Sequence, residues 1–395
     1  MDAAQLELLT APAGRALLAR LRHDDARDDT PGDTPDELRV ARRLRREHPA
    51  ELVTAALALR ALRRRAAAKF SRAQAMYFTR DGLEQATAEP IARHRARRYA
   101  RFDQVADLCC GIGGDLVALA GAATTVLAVD HDPLHLRMAQ LNAEAYGVAG
   151  AVRAVRADAR HVDLAGMSAA FVDPARRSGG RRLRPGDGEP PLHWCLALAA
   201  AVPAVGIKTA PGLDRARVPN GWEAQFVADR RELKEAVLWS PPLAGAPSRA
   251  TVLPGGHELL PEPGEPIACR KPGQYLLDPN PAVARAGLIA ELARRLDAWQ
   301  IDPMIAFLSA DRPLRSPFGR SLRVIDSAPW REKELPGRLR AHDIGPLDIR
   351  RRGLAGDVDA LRRRLRPTGS TPGVLVMTRV SDRPWALLCL EHAPG

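Results

Sequence analysis

The sequence predicts an α/β protein with a central doubly wound parallel sheet, a helical N-terminal region and a small C-terminal α+β domain. Three observations predict this fold class. Apolar residues recur at helical spacing through residues 1–98. Short apolar segments then alternate with helical ones through residues 104–210. After residue 325 the pattern becomes strand, helix, strand, turn, strand, which is typical of a compact α+β unit.

The N-terminal region, residues 1–98, is expected to form amphipathic helices. In residues 37–48 and 50–70, Leu, Val and Ala repeat at helical intervals, and arginines occupy the other positions. Such an arginine-rich face is equally consistent with the solvated surface of a helical bundle and with a surface that contacts RNA.

Five short apolar segments are strand candidates, and helical segments separate the first two and the last two. They are QVADLCC (104–110), TVLAVD (125–130), AVRAVRAD (151–158), AAFVDPA (169–175) and AVGIKTA (204–210). This alternation predicts a parallel sheet with helices on both faces, and we place the domain at residues 99–265.

The rest of the chain is expected to begin irregularly and end in a compact unit. Residues 240–266 are rich in Pro and Gly, which predicts a connection with at most one strand. Residues 281–299 have a helical pattern, inside a connecting α/β subdomain at residues 266–325. Residues 326–395 form the small α+β domain.

Composition indicates an anionic partner and a reducing environment. The formal charge of +12 and the pI near 10.2 favour nucleic acid. Five cysteines without a CxxC spacing favour neither a zinc site nor a disulfide framework. No basic stretch leads into an apolar run at the start, and the longest apolar run, residues 192–207, is interrupted by His193 and Pro203. We expect a cytoplasmic protein with no membrane span and no metal.

The stretch DLCCGIGGDLVALA, residues 107–120, could be a metal site, a redox pair or a cofactor cradle. It follows a predicted strand and leads into a helix, and Gly111, Gly113 and Gly114 would let the backbone approach a ligand without Cβ clashes. The spacing is GxGG and not the GxGxxG of dinucleotide sites, which disfavours a nicotinamide cofactor.

Acidic residues follow the next three strands. Asp130 can accept both ribose hydroxyls, Asp158 can accept from an adenine amine, and Asp173 lies at the end of the fourth strand. Asp132 as N-cap and Pro133 in the first turn predict a helix after Asp130. Ligands of open α/β sheets bind along the edge where the strands end.

These motifs together resemble the class I S-adenosylmethionine-dependent methyltransferases, which have a Rossmann-like fold. The resemblance rests on residues 107–114, Asp130, Asp158 and the DPAR motif of residues 173–176. It implies S-adenosylmethionine as cofactor, with its methionine end at Asp107 and the glycine loop, its ribose at Asp130 and its adenine at Asp158. Under this interpretation Cys109 and Cys110 are small loop residues and neither metal ligands nor nucleophiles.

Upstream, residues 69–103 are similar to the segment that closes over the cofactor in RNA guanine-N2 methyltransferases of the trimethylguanosine synthase type. This likeness makes Tyr77, Phe78, Thr79, Gln85 and Thr87 candidates, although core packing explains Tyr77 and Phe78 equally well. The cofactor-binding set that the resemblance implies is Thr79, Gln85, Asp107, Cys109, Gly111, Gly113, Gly114, Asp115, Asp130, His131, Asp158 and Ala159.

Downstream, residues 270–292 and 342–365 look like bacterial methyltransferases that carry a THUMP-like C-terminal domain. THUMP domains in relatives bind tRNA, so the resemblance implies an RNA partner. In most THUMP methyltransferases the domain lies at the N-terminus, and here it would lie at the other end of the chain.

The implied catalytic residues are Asp173, Pro174 and Arg176. Methyl transfer from a sulfonium mainly needs a positioned acceptor and exclusion of water, with no metal. Asp173 and the Pro174 carbonyl can orient an exocyclic amine, whereas a loop cap is the structural alternative for Asp173. Arg176 stands where amine methyltransferases have an aromatic residue that stacks on the base, and a guanidinium can also stack.

DPAR also resembles uracil-C5 RNA methyltransferases, which need a cysteine nucleophile after strand five. Residues 206–214 contain no cysteine, so that chemistry is disfavoured. Lys208 in this segment either lines the pocket or reaches solvent.

Two arginine clusters are candidate phosphate contacts, with solvated surface as the alternative for each. One follows the DPAR motif and comprises Arg176, Arg177, Arg181, Arg182 and Arg184. The other lies in the terminal domain and comprises Arg350, Arg351, Arg352, Arg362, Arg363, Arg364 and Arg366. The expected substrate-binding set is Tyr77, Phe78, Arg177, Arg181, Arg182 and Lys208.

The sequence therefore predicts an S-adenosylmethionine-dependent methyltransferase acting on a base nitrogen of tRNA or rRNA. Two alternatives remain open at this point. One is a methyltransferase of a small molecule or a protein, and the other is an RNA-binding protein that retains the cofactor without catalysis.

Overall fold

The protein is described from a computed structural model, which covers residues 1–27, 37–175, 177–178, 181–182 and 187–391. The chain forms two compact units. Unit 1 comprises Met1–Asp214 and Leu238–Leu243, and unit 2 comprises Arg215–Val237 and Ala244–Gly395. Within the described residues, no helix combines the length and the apolar character needed to cross a membrane.

The described residues form the following α-helices: α1 (Ala3–Thr10), α2 (Pro12–Arg27), α3 (Glu37–Leu44), α4 (Ala50–Ala66), α5 (Arg80–Gln85), α6 (Glu89–Ala96), α7 (Leu116–Ala120), α8 (Pro133–Tyr146), α9 (Leu192–Ala197), α10 (Pro281–Ala286), α11 (Ile289–Leu296), α12 (Leu335–Ala341) and α13 (Val358–Leu365). The first nine belong to unit 1 and the last four to unit 2.

The strands are β1 (Gln104–Leu108), β2 (Thr125–Asp130), β3 (Val152–Arg156), β4 (Ala169–Val172), β5 (Arg177–Ser178), β6 (Arg181–Arg182), β7 (Ala204–Thr209), β8 (Glu223–Asp229), β9 (Glu232–Trp239), β10 (Ser248–Leu253), β11 (His257–Leu259), β12 (Tyr275–Pro279), β13 (Trp299–Gln300), β14 (Leu308–Ala310), β15 (Gly319–Pro329), β16 (Ile344–Arg351), β17 (Thr371–Val380) and β18 (Arg383–Glu391). Strands β1–β7 lie in unit 1. Strand β9 begins in unit 2 and ends in unit 1.

The N-terminal helices of unit 1 pack around leucines at helical spacing. Leu9, Leu17, Leu21 and Leu59 are fully or almost fully buried, and the same hydrophobic cluster includes Met138 of α8. The N-terminal region is therefore continuous with the core that supports the sheet. This packing confirms the predicted amphipathic helices.

Two arginines of α4 differ from the expected surface role. Arg60 is buried and forms an ion pair with Asp25, which also binds Arg64 at 2.7 Å. Arg63 is buried as well, and its Nε atom donates to the Met76 carbonyl at 2.8 Å. Burial lowers the pKa of Arg63 to about 10. These two guanidinium groups therefore hold helices together and do not face a partner.

The sheet of unit 1 has the predicted parallel arrangement. Its strands run in the order β7, β4, β1, β2, β3, and each neighbouring pair is parallel. The register aligns Leu108 with both Val129 and Val172. Because the strands are in register, the segments that follow β1, β2, β4 and β7 lie along one edge of the sheet.

Helix α8 begins as predicted and connects three parts of unit 1. The Asp132 side chain caps it by accepting from the Leu134 amide at 2.8 Å. Asn142, with no solvent exposure, accepts from the Tyr77 amide at 2.8 Å. Its side-chain nitrogen donates to the carbonyls of Tyr77 at 3.1 Å and Ile112 at 2.8 Å. One amide thus joins the segment before α5 to the glycine loop.

Unit 2 corrects two predictions. Residues 240–266 contain β10 and β11, paired antiparallel, so the expected limit of one strand was wrong. Arg249 and Thr251 lie in β10, which forms despite the surrounding Pro and Gly residues. Strand β10 also pairs with β8 in parallel. The helix expected at 281–299 is two helices, because Gly287 ends α10 with a left-handed conformation at φ 74°.

The C-terminal part of unit 2 has the predicted strand, helix, strand, strand order in β16, α13, β17 and β18. Strands β16 and β17 are parallel, and β17 and β18 form an antiparallel pair. They belong to a sheet with the order β13, β14, β12, β15, β18, β17, β16. Leucines of α12 and α13, including Leu339 and Leu361, pack in one cluster with residues of these strands.

We expect Asn142→Ala to lower the free energy of unfolding by about 2–4 kcal/mol, because three buried backbone groups lose their partner. Urea unfolding followed by circular dichroism would measure the loss. Arg137→Ala, on an exposed position of the same helix, is the matched control. Equal stability of the two variants would contradict the linking role of Asn142.

Candidate active site

The glycine loop leaves β1 with three left-handed residues, Cys109 (φ 62°), Gly111 (φ 55°) and Gly113 (φ 86°). A Cβ on Gly113 would lie 3.1 Å from the Ala139 Cα, and a Cβ on Gly114 would lie 3.1 Å from the Thr87 amide nitrogen. Glycine is therefore needed at these two positions for close packing. A Cβ on Gly111 would meet no atom within 4 Å, so this part of the loop borders open space.

Asp130, at the end of β2, fixes the glycine loop. Its Oδ2 accepts from the Gly111 amide at 2.8 Å, and its Oδ1 accepts from the Asp132 amide at 2.9 Å. A carboxylate has about four acceptor sites, so hydroxyl groups of a ligand could still bind it. The side chain of His131 is 83% exposed, and its Nδ1 lies 3.7 Å from Asp130 Oδ1.

Asp107, in β1, is fully buried, and neither carboxylate oxygen has a hydrogen-bond partner among the described residues. Burial raises the pKa of Asp107 well above its ordinary value, and the charges of Asp115 and Asp173 raise it further. A buried carboxylate without a donor is costly, because it has lost water and gained nothing in return. This site can therefore accept a donor that a ligand or a water supplies.

The two cysteines of the loop are poor nucleophiles. Burial is the main cause that raises the pKa of both thiols, and the Asp130 carboxylate raises it further in Cys109. A thiol is reactive mainly as the thiolate. Among the described residues no group of His, Cys, Asp and Glu has the arrangement of a metal site.

Asp158 follows β3 and is bound by a neighbouring arginine. The Nη2 of Arg160 donates to Asp158 Oδ2 at 2.6 Å, and its Nε donates to Oδ1 at 3.0 Å. These hydrogen bonds lower the pKa of Asp158 to about 2. Next to this pair, Ala159 and Arg160 line a cavity of about 500 Å³ that Met167 and Trp194 also border. The carboxylate is thus ionised, and the two residues that follow it in the chain line a space that can hold a ring system.

Asp173 follows β4 and forms an ion pair with Lys208 of β7. Lys208 Nζ donates to Asp173 Oδ2 at 2.5 Å and to Thr87 Oγ1 at 2.7 Å. The Lys208 side chain is 6% exposed, whereas Asp173 is 24% exposed. The structure therefore places Lys208 against the predicted catalytic carboxylate and away from solvent.

The network continues from Thr87 to the glycine loop. Thr87 Oγ1 donates to Asp115 Oδ2 at 2.6 Å, and Asp115 also pairs with the buried Arg95. The Arg95 guanidinium lies 4.5 Å from the centre of the Phe171 ring, in a cation–π contact. Asp115 is thus bound by protein groups on both oxygens.

The DPAR motif is described only in part. Pro174 is buried, and Ala175 pairs with Glu189 in an antiparallel bridge. Arg176 and Arg184 lie outside the described residues. Arg177, Arg181 and Arg182 belong to the paired strands β5 and β6, and their side chains also lie outside the description.

The segment before α6 contributes mainly backbone and core contacts. Phe78 is fully buried and packs 5.9 Å from Phe70, and Tyr77 is almost fully buried. Both placements are those of core packing. Thr79 caps α5 by accepting from the Gly82 amide at 2.9 Å, whereas Gln85 is exposed.

The arginine cluster of the terminal domain is extensively ion-paired. Arg350 binds Asp348 at 2.9 Å, and Arg352 binds Asp278 at 2.9 Å. Arg364 binds Glu332 at 2.8 Å. These three guanidinium groups therefore already have carboxylate partners.

Sequence reasoning missed Arg95 and Asn142. A signal for Arg95 was present, because Ile91, Ala92, Ala96 and Tyr99 mark the buried face of α6 and the turn after it, and Arg95 falls on that face. Asn142 gave no comparable signal, since its partners are backbone groups distant in sequence.

The residues fit a cofactor with a cationic end, a ribose and a base. Asp107 offers unsatisfied acceptors, Gly111 borders open space that a Cβ would enter, and Ala159, next to the ionised Asp158, lines a cavity. These features follow one another along the sheet edge in the order that an extended nucleoside derivative needs.

The chain is similar to known proteins over most of its length. A family model described as RNA cap guanine-N2 methyltransferase matches residues 102–249, one described as THUMP domain-like matches 319–391, and a domain of unknown function matches 2–66. The chain is 39% identical over 331 residues to an "Uncharacterized S-adenosylmethionine-dependent methyltransferase" from two strains of Mycobacterium tuberculosis, CDC 1551 and H37Rv. The match covers 81% of this chain and 90% of that protein.

The crystal structure of a candidate methyltransferase from Porphyromonas gingivalis W83 has the same fold. Its TM-score is 0.70 at 21% identity, and the match covers 88% of this chain and 92% of that chain.

We expect Asp107→Asn to raise the free energy of unfolding at about pH 8 by about 1–3 kcal/mol, because the amide removes a buried charge without changing the volume. The pKa of Asp107 is higher in the folded than in the unfolded protein. The wild type therefore loses stability as pH rises from the unfolded towards the folded pKa, and its difference from the variant should shrink towards about pH 4. Urea unfolding at both pH values measures this.

The same variant should bind S-adenosylhomocysteine about tenfold more weakly in calorimetry, since an amide cannot ionise to pair with a cationic group of the ligand as a carboxyl group can. Asp103→Asn, at an exposed position before β1, is the control. Unchanged affinity of Asp107→Asn would contradict a role of Asp107 in binding the cofactor.

Thiol labelling tests the status of the cysteines. Cys269 is exposed, although partial burial and Asp302 raise its pKa, whereas burial raises the pKa of Cys195 and Cys389 to about 12 and that of both loop cysteines as well. We expect a maleimide near neutral pH to modify Cys269 first, and Cys269→Ser to abolish this fast phase. Rapid labelling of Cys109 in that variant would instead indicate an activated thiol.

Proposed function

The chain belongs to the S-adenosylmethionine-dependent methyltransferases, and from this premise we propose that it methylates a base nitrogen of RNA, in tRNA or rRNA. S-adenosylmethionine is its cofactor. The observation that carries the proposal is the partly exposed Asp173 at the end of β4, held by buried Lys208. Asp173 has one oxygen bound by Lys208 and one without a hydrogen-bond donor among the described residues.

We assign cofactor binding to the edge of the sheet in unit 1. Asp107 and the loop of Gly111, Gly113 and Gly114 would hold the methionine end, Asp130 the ribose, and Asp158 with Ala159 the adenine. When bound, S-adenosylmethionine supplies a methyl group on a sulfonium, which is open to attack by a nucleophile in line with the leaving sulfur. The residues at this edge have only to bind, orient and exclude water.

The acceptor would be oriented by the residues after β4. Asp173 Oδ1 can accept an N–H of an exocyclic amine, and the Pro174 carbonyl can accept a second. Both acceptors carry partial or full negative charge, so they stabilise positive charge on the nitrogen as the new bond forms. Lys208 neutralises Oδ2 and limits Asp173 to one orientation.

Three observations support RNA as the substrate. The formal charge of +12 favours a polyanion. One matched family model is described as RNA cap guanine-N2 methyltransferase, and another as THUMP domain-like. Arginines 176, 177, 181, 182 and 184 follow the proposed catalytic motif in sequence, where phosphate contacts would be useful. The proposal places the enzyme in the cytoplasm, with its RNA substrates, and keeps the domain limits at 98, 265 and 325.

We expect the purified protein to transfer labelled methyl from S-adenosylmethionine to total RNA from a strain that lacks it. RNase should release the label, and nucleoside mass spectrometry should find it on one modified base. Transfer absent from RNA, with cofactor binding intact, would overturn the proposal. It would favour a small-molecule acceptor or a protein without catalysis.

Asp173→Ala should lower kcat on that RNA about a hundredfold or more, because the acceptor loses its orienting carboxylate. Affinity for S-adenosylhomocysteine should change by less than about threefold, since Asp173 is assigned to the acceptor. Glu144→Ala, at an exposed position of α8, is the control. Full activity of Asp173→Ala would contradict the assignment.

A further inference from the structure

Thr87 lies between the two ends of the proposed site. It is 6% exposed, and its hydroxyl contacts Lys208 Nζ at 2.7 Å and Asp115 Oδ2 at 2.6 Å. Lys208 belongs to β7 beside Asp173, and Asp115 directly follows the glycine loop. One hydroxyl group therefore joins the acceptor end to the cofactor end.

The direction of these hydrogen bonds is fixed by chemistry. An ammonium group only donates and an ionised carboxylate only accepts, so the Thr87 hydroxyl accepts from Lys208 and donates its one proton to Asp115. The chain of contacts therefore runs from Lys208 through Thr87 to Asp115. No rotated hydroxyl could satisfy both neighbours in another way.

The charges of this group are balanced. Asp173 and Asp115 contribute two carboxylates, and Lys208 and Arg95 contribute two cations. Lys208 and Arg95 are both almost fully buried, where an unpaired charge would be costly. Thr87 is neutral, and its hydroxyl group joins the Lys208–Asp173 ion pair to the Arg95–Asp115 ion pair.

The backbone of Thr87 packs closely against Gly114 of the glycine loop. A Cβ on Gly114 would lie 3.1 Å from the Thr87 nitrogen and 3.2 Å from its carbonyl oxygen. The segment between α5 and α6 thus lies directly against the glycine loop. The hydroxyl cannot move away from Lys208 and Asp115 without displacing this contact.

We propose that Thr87 is a positioning residue, which acts through Lys208 to fix the orientation of the Asp173 carboxylate. This inference rests on the proposed function of Asp173. Thr87 holds Lys208 on Asp173 Oδ2, and the other oxygen, Oδ1, then faces the acceptor in one orientation. Because the Thr87 hydroxyl already has Lys208 and Asp115 as its partners, its loss should affect turnover more than binding.

The test compares Thr87→Val, which keeps the shape and removes the hydroxyl, with Thr87→Ser, which keeps the hydroxyl. Thr87→Val should lower kcat for RNA methylation about tenfold to a hundredfold. The KM values for RNA and for S-adenosylmethionine should change by less than about threefold. Thr87→Ser should restore most of the rate, and Thr54→Val, an exposed threonine of α4, should match wild type.

A second measurement does not depend on catalysis. The sequence has only five lysines, so selective labelling at Cε gives an NMR spectrum in which Lys208 can be assigned by Lys208→Arg. The Lys208 resonance should move in Thr87→Val and in Asp173→Asn, and stay in place in Thr54→Val. Thr87→Ala gives the same comparison where Thr87→Val does not fold.

The outcomes separate the two hypotheses. Normal kcat in folded Thr87→Val, a loss that appears only in KM, or an unmoved Lys208 resonance would each overturn the positioning role. Wild-type protein that methylates no RNA would overturn the proposed function, and the Lys208 resonance would then decide the positioning role by itself.

Discussion

The accumulation of negative charge at one edge of the parallel sheet is the constraint around which unit 1 is arranged. Strands β1 and β4 are parallel neighbours in register, so Asp107 and Asp173 lie near the same edge, and Asp115 follows in the loop. Burial raises the pKa of Asp107, the charges of Asp115 and Asp173 raise it further, and this repulsion opposes folding. Two buried cations, Arg95 and Lys208, pair with Asp115 and Asp173 and offset part of this repulsion.

These two cations come from different parts of the chain, which explains why the N-terminal region is integral to the site. Arg95 belongs to α6, and Lys208 belongs to β7. Thr87 joins the two ion pairs. Asn142 joins the segment before α5 to the glycine loop through the Ile112 carbonyl. The hydrophobic cluster of the N-terminal helices also includes side chains of α8. The helical region therefore belongs to the same compact unit as the parallel sheet and supplies Arg95 to the ion pair beside the glycine loop.

The sequence predicted those features whose cause is local. The period of apolar residues located the strands of the sheet, and Asp132 with Pro133 located the start of α8. Features that depend on distant contacts were missed. Arg95 lies on the apolar face of α6 and Arg93 and Arg97 are exposed, but the ion pair of Arg95 with Asp115 joins residues distant in sequence, and only the fold shows it. The periodicity of apolar residues predicts one continuous helix across Gly287. The helix ends there because Gly287 adopts a left-handed conformation, which that periodicity does not reveal.

The location of the proposed catalytic residues was partly predictable for the same reason. Strand ends in a parallel sheet meet at one edge, so Asp173 and Lys208 could be placed at one site from their positions in the chain. Their direct contact could not, since it depends on the order β7, β4, β1 and on side-chain conformation. The core positions of Tyr77 and Phe78 likewise depend on which face of their segment meets α4 and α8.

The costs of folding unit 1 are concentrated in the loop that the proposed cofactor would contact. Asp107 is a buried carboxylate without a donor among the described residues, and Cys109 has a left-handed backbone that a residue with a Cβ adopts at a cost. Asparagine at position 107 would remove the buried carboxyl group, and glycine at position 109 would remove the backbone strain. Neither the unpaired carboxyl group of Asp107 nor the strained backbone of Cys109 contributes to the stability of the fold. The strained backbone of Cys109 and the unpaired carboxyl group of Asp107 lie two residues apart, as a preorganised binding loop requires, because a ligand then gains the interactions that folding leaves unmade.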